Sequence, residues 1–197
     1  VVVGVDRLDY TKGIPERLRA FERMLDRHAN MRGKVTLVQI TQPSRSRLRE
    51  YIEEREKVER MVGQVNGRYS EAGWVPIRYL YRVFSRRQLA RFDHGSKVGM
   101  VTHLRDGMNL IAKEYIAAQG DDPGVLVLSK FAGAAVELTE AIQVNPYDTD
   151  GTAEQLYQAL RMPRSERVRR WRSQMDAVLT NTARSWGESF FRDLRST

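Results

Sequence analysis

The stretch Leu104-Arg105-Asp106-Gly107-Met108-Asn109-Leu110-Ile111-Ala112-Lys113-Glu114-Tyr115 decides how this chain is read. An apolar run at 98–102 precedes it and predicts a buried parallel strand. A helical run through residue 118 follows. A tight glycine turn from strand to helix leaves backbone N–H groups without intrahelical acceptors. Those donors and the positive end of the helix dipole make a site for an anion or a hydroxyl-rich ligand. Asp106 and Glu114 flank the turn. Carboxylates repel phosphate but accept hydrogen bonds from sugar hydroxyls. The local chemistry points to a sugar nucleotide rather than a bare phosphate.

Working outward, the alternation continues in both directions. Residues 1–5, 35–40, 77–83, 125–128 and 142–144 read as further strands. Helices are expected from Pro15, where the missing N–H is harmless, and from Pro43 to about Gly67. Leu48, Ile52, Val58, Val62 and Val65 are assigned to the buried face of the second helix. Ser85 caps a short helix. A helix runs over 109–119 and a short one over 134–138, where Glu137 is expected at a helix start. Beyond residue 146 only helices remain, at 152–162, 165–179 and 182–194. Six strands alternating with helices demand an α/β architecture, a doubly wound parallel sheet of Rossmann-like type. The expected strand order is 3-2-1-4-5-6, with ligands at the carboxyl ends of strands 1 and 4. The two most unusual loops, 6–13 and 103–109, follow those two strands.

Composition bounds the partners. The chain has 197 residues, 41% hydrophobic, no cysteine and a net charge of +8. Disulfides and thiolate metal sites are excluded. No stretch approaches the ~18 apolar residues of a membrane span, so no membrane partner is expected. Arg and Glu are interspersed through 45–60 and 161–172 as on solvated helices, which accounts for most of the charge. No basic stripe studded with aromatics occurs, and nucleic acid is not expected as a partner. The chain opens inside a strand without Met, which reads as a piece of a longer protein.

In the first loop, Arg7 and Lys12 place two cations after strand 1. Such a pair can neutralise a diphosphate, a leaving one most of all. The competing reading pairs Arg7 with Asp9 on the surface. Arg45 follows strand 2 and is by itself a weak phosphate candidate. The small residues of 131–137 are assigned to packing. His28, His94 and His103 show no ligand spacing, so no metal site is expected. His28 is explained by a helix end, and His103 is placed beside the central motif.

These residues together resemble the trehalose-6-phosphate synthase family of retaining glycosyltransferases. The resemblance runs along essentially the whole chain. It is carried by Arg7-Leu-Asp-Tyr-Thr-Lys12-Gly13, by 104–115, by Pro123-Gly-Val-Leu-Val-Leu-Ser-Lys-Phe-Ala-Gly-Ala and by Val144-Asn-Pro-Tyr-Asp148. It implies the C-terminal half of a GT-B two-domain enzyme that transfers glucose from UDP-glucose to glucose 6-phosphate. It also implies a cytoplasmic protein, no metal and no cofactor. Arg7 and Lys12 would bind the donor diphosphate, and Asp106 the glucose hydroxyls; these three form the expected catalytic set. Gly107, Met108, Asn109 and Leu110 would lie along the donor, Glu114 would hold the ribose, and Val83 and Phe84 would lie along the base. Arg45 would contact the acceptor phosphate.

Two positions depart from the family pattern: Lys97 stands where Asp is common, and His103 where Pro is common. Residues 1–180 are assigned to donor binding. The helix within 181–197 is expected to pack partly on an N-terminal domain. Its Trp186, Phe190 and Phe191 would otherwise be exposed and promote a homo-oligomer. Two alternatives stay open at this point. One is another nucleotide-sugar transferase, of sucrose-phosphate or glycogen synthase type. The other is a non-catalytic sugar-nucleotide-binding domain.

Overall fold

The computed structural model describes residues 1–45 and 47–195. Its centre is β1 (Val2–Arg7), whose first five residues are buried. Apolar residues on both sides of a strand require cover on both faces, which a parallel sheet between helices supplies. β1 pairs in parallel with β2 (Leu37–Gln42) on one side and β4 (Val98–Val101) on the other. β3 (Ile77–Tyr81), β5 (Val125–Ser129) and β6 (Ile142–Val144) complete the order β3-β2-β1-β4-β5-β6. That is the expected order. The chain reverses direction between β1 and β4, and the crevice at their carboxyl ends is the topological switch point.

One face carries α1 (Ile14–Arg27), α2 (Arg49–Tyr69) and α5 (Thr149–Arg161), packed on Val2, Leu37, Ile77, Met100 and Val127. The other carries α3 (Arg86–His94), α4 (Leu110–Ala118) and α6 (Arg164–Thr180), packed on Val3, Val5, Ile40, Leu126 and Leu128. The odd and even residues of β1 thus feed different cores, as the two-residue period of a strand dictates. Ser85 caps α3 through a reciprocal box with Gln88.

Three expectations are corrected. α2 begins at Arg49, not at Pro43; the described residues 43–45 and 47–48 before it are not helical. Leu48 and Ile52 are therefore exposed, and the buried face is Tyr51, Glu54, Val58, Val65 and Tyr69, with Val62 half-buried. Glu137 ends rather than starts its short 3-10 helix (Gly133–Val136), and it pairs with Lys113 at 2.7 Å. The third and fourth strands stop two residues and one residue earlier than read, at Tyr81 and Val101. α7 (Ala183–Arg195) has no buried residue; Trp186, Phe190, Phe191 and Leu194 are all exposed.

Candidate functional site

The loops after β1 and β4 meet. Gly13 adopts φ +62°, and a Cβ there would stand 2.3 Å from the Thr102 carbonyl oxygen. Only glycine lets the start of α1 approach the end of β4 so closely. The Leu104 amide donates to the Thr11 carbonyl at 2.8 Å, binding the two loops backbone to backbone. Lys12 and Asp106, 94 residues apart in sequence, then stand 3.1 Å from each other.

Asp106 is held on every side. Its Oδ2 accepts from Lys12 Nζ at 3.1 Å, His103 Nδ1 at 2.6 Å and Asn109 Nδ2 at 2.9 Å. Its Oδ1 accepts from the Gly107 amide at 3.1 Å. The His103 hydrogen bond, with help from Lys12 and against partial burial, holds the carboxyl well below the usual carboxylate range. It stays ionised at any physiological pH. A carboxylate so stabilised is a poor base and a poor nucleophile, but a fixed acceptor for hydroxyls at its less committed Oδ1.

Asn109 shapes the turn. It is buried, left-handed at φ +56°, and N-caps α4 by accepting from the Ala112 amide at 3.0 Å. That bond fixes the orientation of its amide, so its Nδ2 is the end that donates to Asp106. From the far side, the loop after β5 braces the turn. The Gly133 amide donates to the Gly107 carbonyl at 2.6 Å, and a Cβ on Gly133 would sit 2.0 Å from that oxygen. The small residues of this segment serve packing, as expected. Gly107 itself meets no atom within 4 Å of an added Cβ. Its missing side chain leaves open space in front of the carboxylate.

Beneath the loops lies a buried polar cluster that reading the sequence did not single out. Asp6, Arg17, Gln39 and His103 are each fully buried or within 1% of it, and Thr102 is 1% exposed. Arg17 Nη1 donates to Asp6 and, at 2.9 Å, to Gln39; its Nε donates to Thr102 at 3.0 Å. His103 Nε2 stands 2.5 Å from Asp6 Oδ1. Burial pushes the Asp6 carboxyl up, but the charges of Arg17 and His103 outweigh it and hold it below the usual range. A signal was present in the sequence. Arg17 interrupts the apolar stripe of Ile14, Leu18, Phe21 and Leu25, and Gln39 interrupts the run of β2. Gly4 belongs to the same arrangement, since a Cβ there would lie 2.6 Å from Arg17 and 2.7 Å from Gln39.

The other candidate residues sit around this centre. Arg7 is exposed at the end of β1, with no hydrogen bond or ion pair to another described residue, so the Arg7–Asp9 pairing does not form. Asp9 is engaged instead by the Thr11 amide and hydroxyl and by the Tyr51 hydroxyl. Arg45 is exposed, with Nη1 3.3 Å from that same Tyr51 hydroxyl, so Tyr51 ties the loops after β1 and β2 together. Met108 and Leu110 are 64% and 56% exposed. Val83 faces solvent, whereas Phe84 is buried against Phe92. Glu114 is exposed on α4, apart from the Asp106 cluster. Its neighbour is Asp93 of α3, whose carboxyl is pushed up to about 7 by burial and then by the charge of Glu114. His28 ends α1, stacks on Tyr157 and pairs with Glu154 at 3.0 Å. Lys97 lies at the opposite end of β4 from the crevice. Among the described residues no three His, Cys, Asp or Glu side chains are grouped to hold a metal ion, and no helix is long and apolar enough to cross a membrane.

A doubly wound sheet with a fixed carboxylate, its paired lysine, a nearby arginine and an open glycine turn at its switch point defines a Rossmann-like ligand-binding domain. The chain belongs to glycosyltransferase family 20, whose model matches residues 1–196. It is 48% identical over 197 residues to a trehalose-6-phosphate synthase of Enterobacter sp. (strain 638), covering all of this chain and 42% of that protein. Among solved structures it resembles one from E. coli bound with UDP-2-fluoro glucose, at 46% identity and a TM-score of 0.95, covering all of this chain and 44% of the other. It equally resembles an alpha,alpha-trehalose-phosphate synthase (UDP-forming) from Burkholderia xenovorans in complex with glucose-6-phosphate. There the identity is 48% and the TM-score 0.95, over 98% of this chain and 43% of the other. The chain therefore spans about two fifths of the length of these relatives.

Proposed function

We propose that this chain is the donor-binding part of a UDP-forming trehalose-phosphate synthase, which moves glucose from UDP-glucose to glucose 6-phosphate with retention. The observation that carries this is the meeting of Lys12 and Asp106 at the carboxyl ends of β1 and β4. A cation for a diphosphate and a carboxylate for sugar hydroxyls stand side by side, as a nucleotide sugar requires. Arg7 adds a second, unpaired cation. Gly107 leaves room for the sugar, Glu114 accepts from the ribose hydroxyls, Val83, Phe84, Met108 and Leu110 border the nucleotide, and Arg45 meets the acceptor phosphate. The relatives named above support the choice of donor and acceptor.

The chemistry follows from the state of Asp106. Retention through a covalent intermediate needs a carboxylate nucleophile. The donors crowded onto Asp106 make it unfit for that role. The acceptor hydroxyl instead attacks on the face that the diphosphate leaves. The bond from the anomeric carbon to the phosphate oxygen breaks, and its electron pair goes to UDP. The new bond forms to the acceptor oxygen, whose proton passes to the departing phosphate. Arg7 and Lys12 stabilise the charge that grows on the diphosphate, so no metal ion is needed for that step. Donor and acceptor must be held about 3–3.5 Å apart and away from water. A crevice open on one side does not do this, and a second domain would supply the facing wall, docking on the apolar side of α7. We place the reaction in the cytoplasm.

Calorimetric titration of the folded chain with UDP, UDP-glucose, ADP-glucose and GDP-glucose tests the reading. Binding of UDP and UDP-glucose that survives a chelator is expected. Folded chain that binds none of them overturns it. Swapping the acceptor in an assay of the full-length enzyme separates trehalose-phosphate synthesis from sucrose-phosphate or glycogen synthesis.

A further inference from the structure

His103 is fully buried, yet both of its ring nitrogens face carboxylates. Nε2 stands 2.5 Å from Asp6 Oδ1, and Nδ1 stands 2.6 Å from Asp106 Oδ2. A neutral imidazole has one donor and one acceptor. Set between two ionised carboxylates, it would leave one of them facing a lone pair. Only the imidazolium donates to both. Asn109 Nδ2 also stands 2.7 Å from Nδ1, but a neutral Nδ1 accepting from it would still set its lone pair against Asp106 Oδ2 at 2.6 Å, so only the charged ring serves both carboxylates. The ring is thus a rigid strut between the buried Arg17–Asp6 pair and the one site carboxylate that reaches the crevice.

We infer that His103 is a positioning residue for Asp106: as a doubly donating imidazolium it fixes the carboxylate that receives the donor sugar, making recognition of the sugar, and not of the diphosphate, depend on pH. This rests on the donor-site reading above. The charged groups facing the ring come from each element around it. Asp6 comes from β1, Arg17 from α1, Asp106 from the ring's own loop, and Lys12, through Asp106, from the turn after β1. Two of these are carboxylates in direct contact. The nearer cation, Arg17, is itself spent on Asp6. Burial disfavours the charged ring, but the Asp6 charge and the hydrogen bonds to Asp106 and Asp6 prevail over it and over Arg17, so its pKa rises above the ordinary 6.5. The strut's contribution is then complete below 6.5 and is lost as pH rises through the raised folded value. Loss of the proton leaves Asp106 to Lys12, Asn109 and the Gly107 amide, without its shortest bond. The ring bonds to Asp6 and Asp106 and not to Lys12 or Arg7, so the diphosphate cations do not hang on the strut.

Nitrogen-15 NMR of histidine-labelled chain reads the ring directly. His103 is expected to carry protons on both nitrogens at pH 7 and to titrate above the ordinary imidazole range. Asp106→Asn should lower that midpoint. In parallel, the ratio of UDP-glucose to UDP affinity is measured from pH 7 to 10. It should fall roughly tenfold as the ring deprotonates, about what one charge-assisted hydrogen bond contributes. In His103→Gln the ratio should be low and flat with pH. A ring that titrates near 6.5, or a ratio that stays constant while the ring titrates, overturns the strut and leaves the donor site standing. Failure of both ligands to bind at any pH overturns the donor site and the strut with it, while the NMR midpoint still reports the double carboxylate contact. The wild-type measurements need no variant to fold.

Discussion

Two loops of this molecule begin alike and end differently. One joins the end of β4 to the start of α4, the other the end of β2 to the start of α2. Each holds one non-glycine residue in the left-handed region, Asn109 at φ +56° and Arg45 at φ +41°. Asn109 is a residue type that tolerates this conformation, is buried, and spends its side chain on the helix cap and on Asp106. Arg45 is exposed, and α2 starts without any side-chain cap. The Arg45 side chain contacts Tyr51, at 3.3 Å from the hydroxyl and over the ring, and the Arg45 carbonyl accepts from the Leu48 amide at 2.9 Å. The first loop is accounted for by the chain's own bonds. The second holds an exposed arginine in the left-handed region, bonded by the chain only to Tyr51 and Leu48. The proposed donor side of the crevice is thus the more tightly braced of the two, and the proposed acceptor side the less.

The comparison breaks most visibly if the support of the first loop is removed. Arg17→Met keeps much of the side chain's volume but strands the buried Asp6. It should cost about 3–5 kcal/mol of stability, read by thermal or urea unfolding of the chain. A loss under about 1 kcal/mol would mean that the cluster is not the support described here. Arg7→Met is the converse, a change at the crevice with no partner to strand. UDP binding should weaken by about 1.5–3 kcal/mol, roughly 10- to 150-fold, with uridine binding and the melting temperature unchanged. Equal losses for UDP and uridine would point to fold damage instead.

Paired substitutions at the two left-handed residues sharpen the contrast. Asn109→Ala removes a cap and should destabilise by about 1–2 kcal/mol. Arg45→Gly should stabilise by about 0.5–1 kcal/mol, since relief of the left-handed penalty exceeds the extra chain entropy of glycine. If Arg45→Gly destabilised the chain, the loop after β2 would be self-supporting after all. The smallest effect concerns the edge of the site. Glu114→Gln removes the charge beside Asp93, so the Asp93 titration should move down from about 7. Carbon-13 NMR of the side-chain carboxyls would show it. An unmoved midpoint would separate the two acids.

The architecture was legible because its signal is local. Apolar runs such as 98–102 and 125–128 between helical stretches read as buried strands, and their alternation with helices fixes the winding. The helix boundary at α2 was not legible. Pro43 and Ser44 are good start residues, yet neither is helical, α2 starts at Arg49, and Leu48 and Ile52 lose their place in the core. Propensity yields there to tertiary placement.

The sequence by itself determined the parallel sheet, its strand order and the two loops that frame the crevice, because periodicity and turn chemistry act over a few residues. Its resemblance to a known family supplied the roles offered for Arg7, Lys12, Asp106 and Glu114. Only the tertiary structure decided that Lys12 and Asp106 touch, that Glu114 stands apart beside Asp93, and that His103 is buried between Asp6 and Asp106. Those facts depend on side chains from β1, α1, β2 and the loop after β4 converging across as many as 100 positions of sequence. A buried charge is legible in one dimension only as an interruption of an apolar pattern. Whether it is paired, and with what, is settled where the chain folds back on itself.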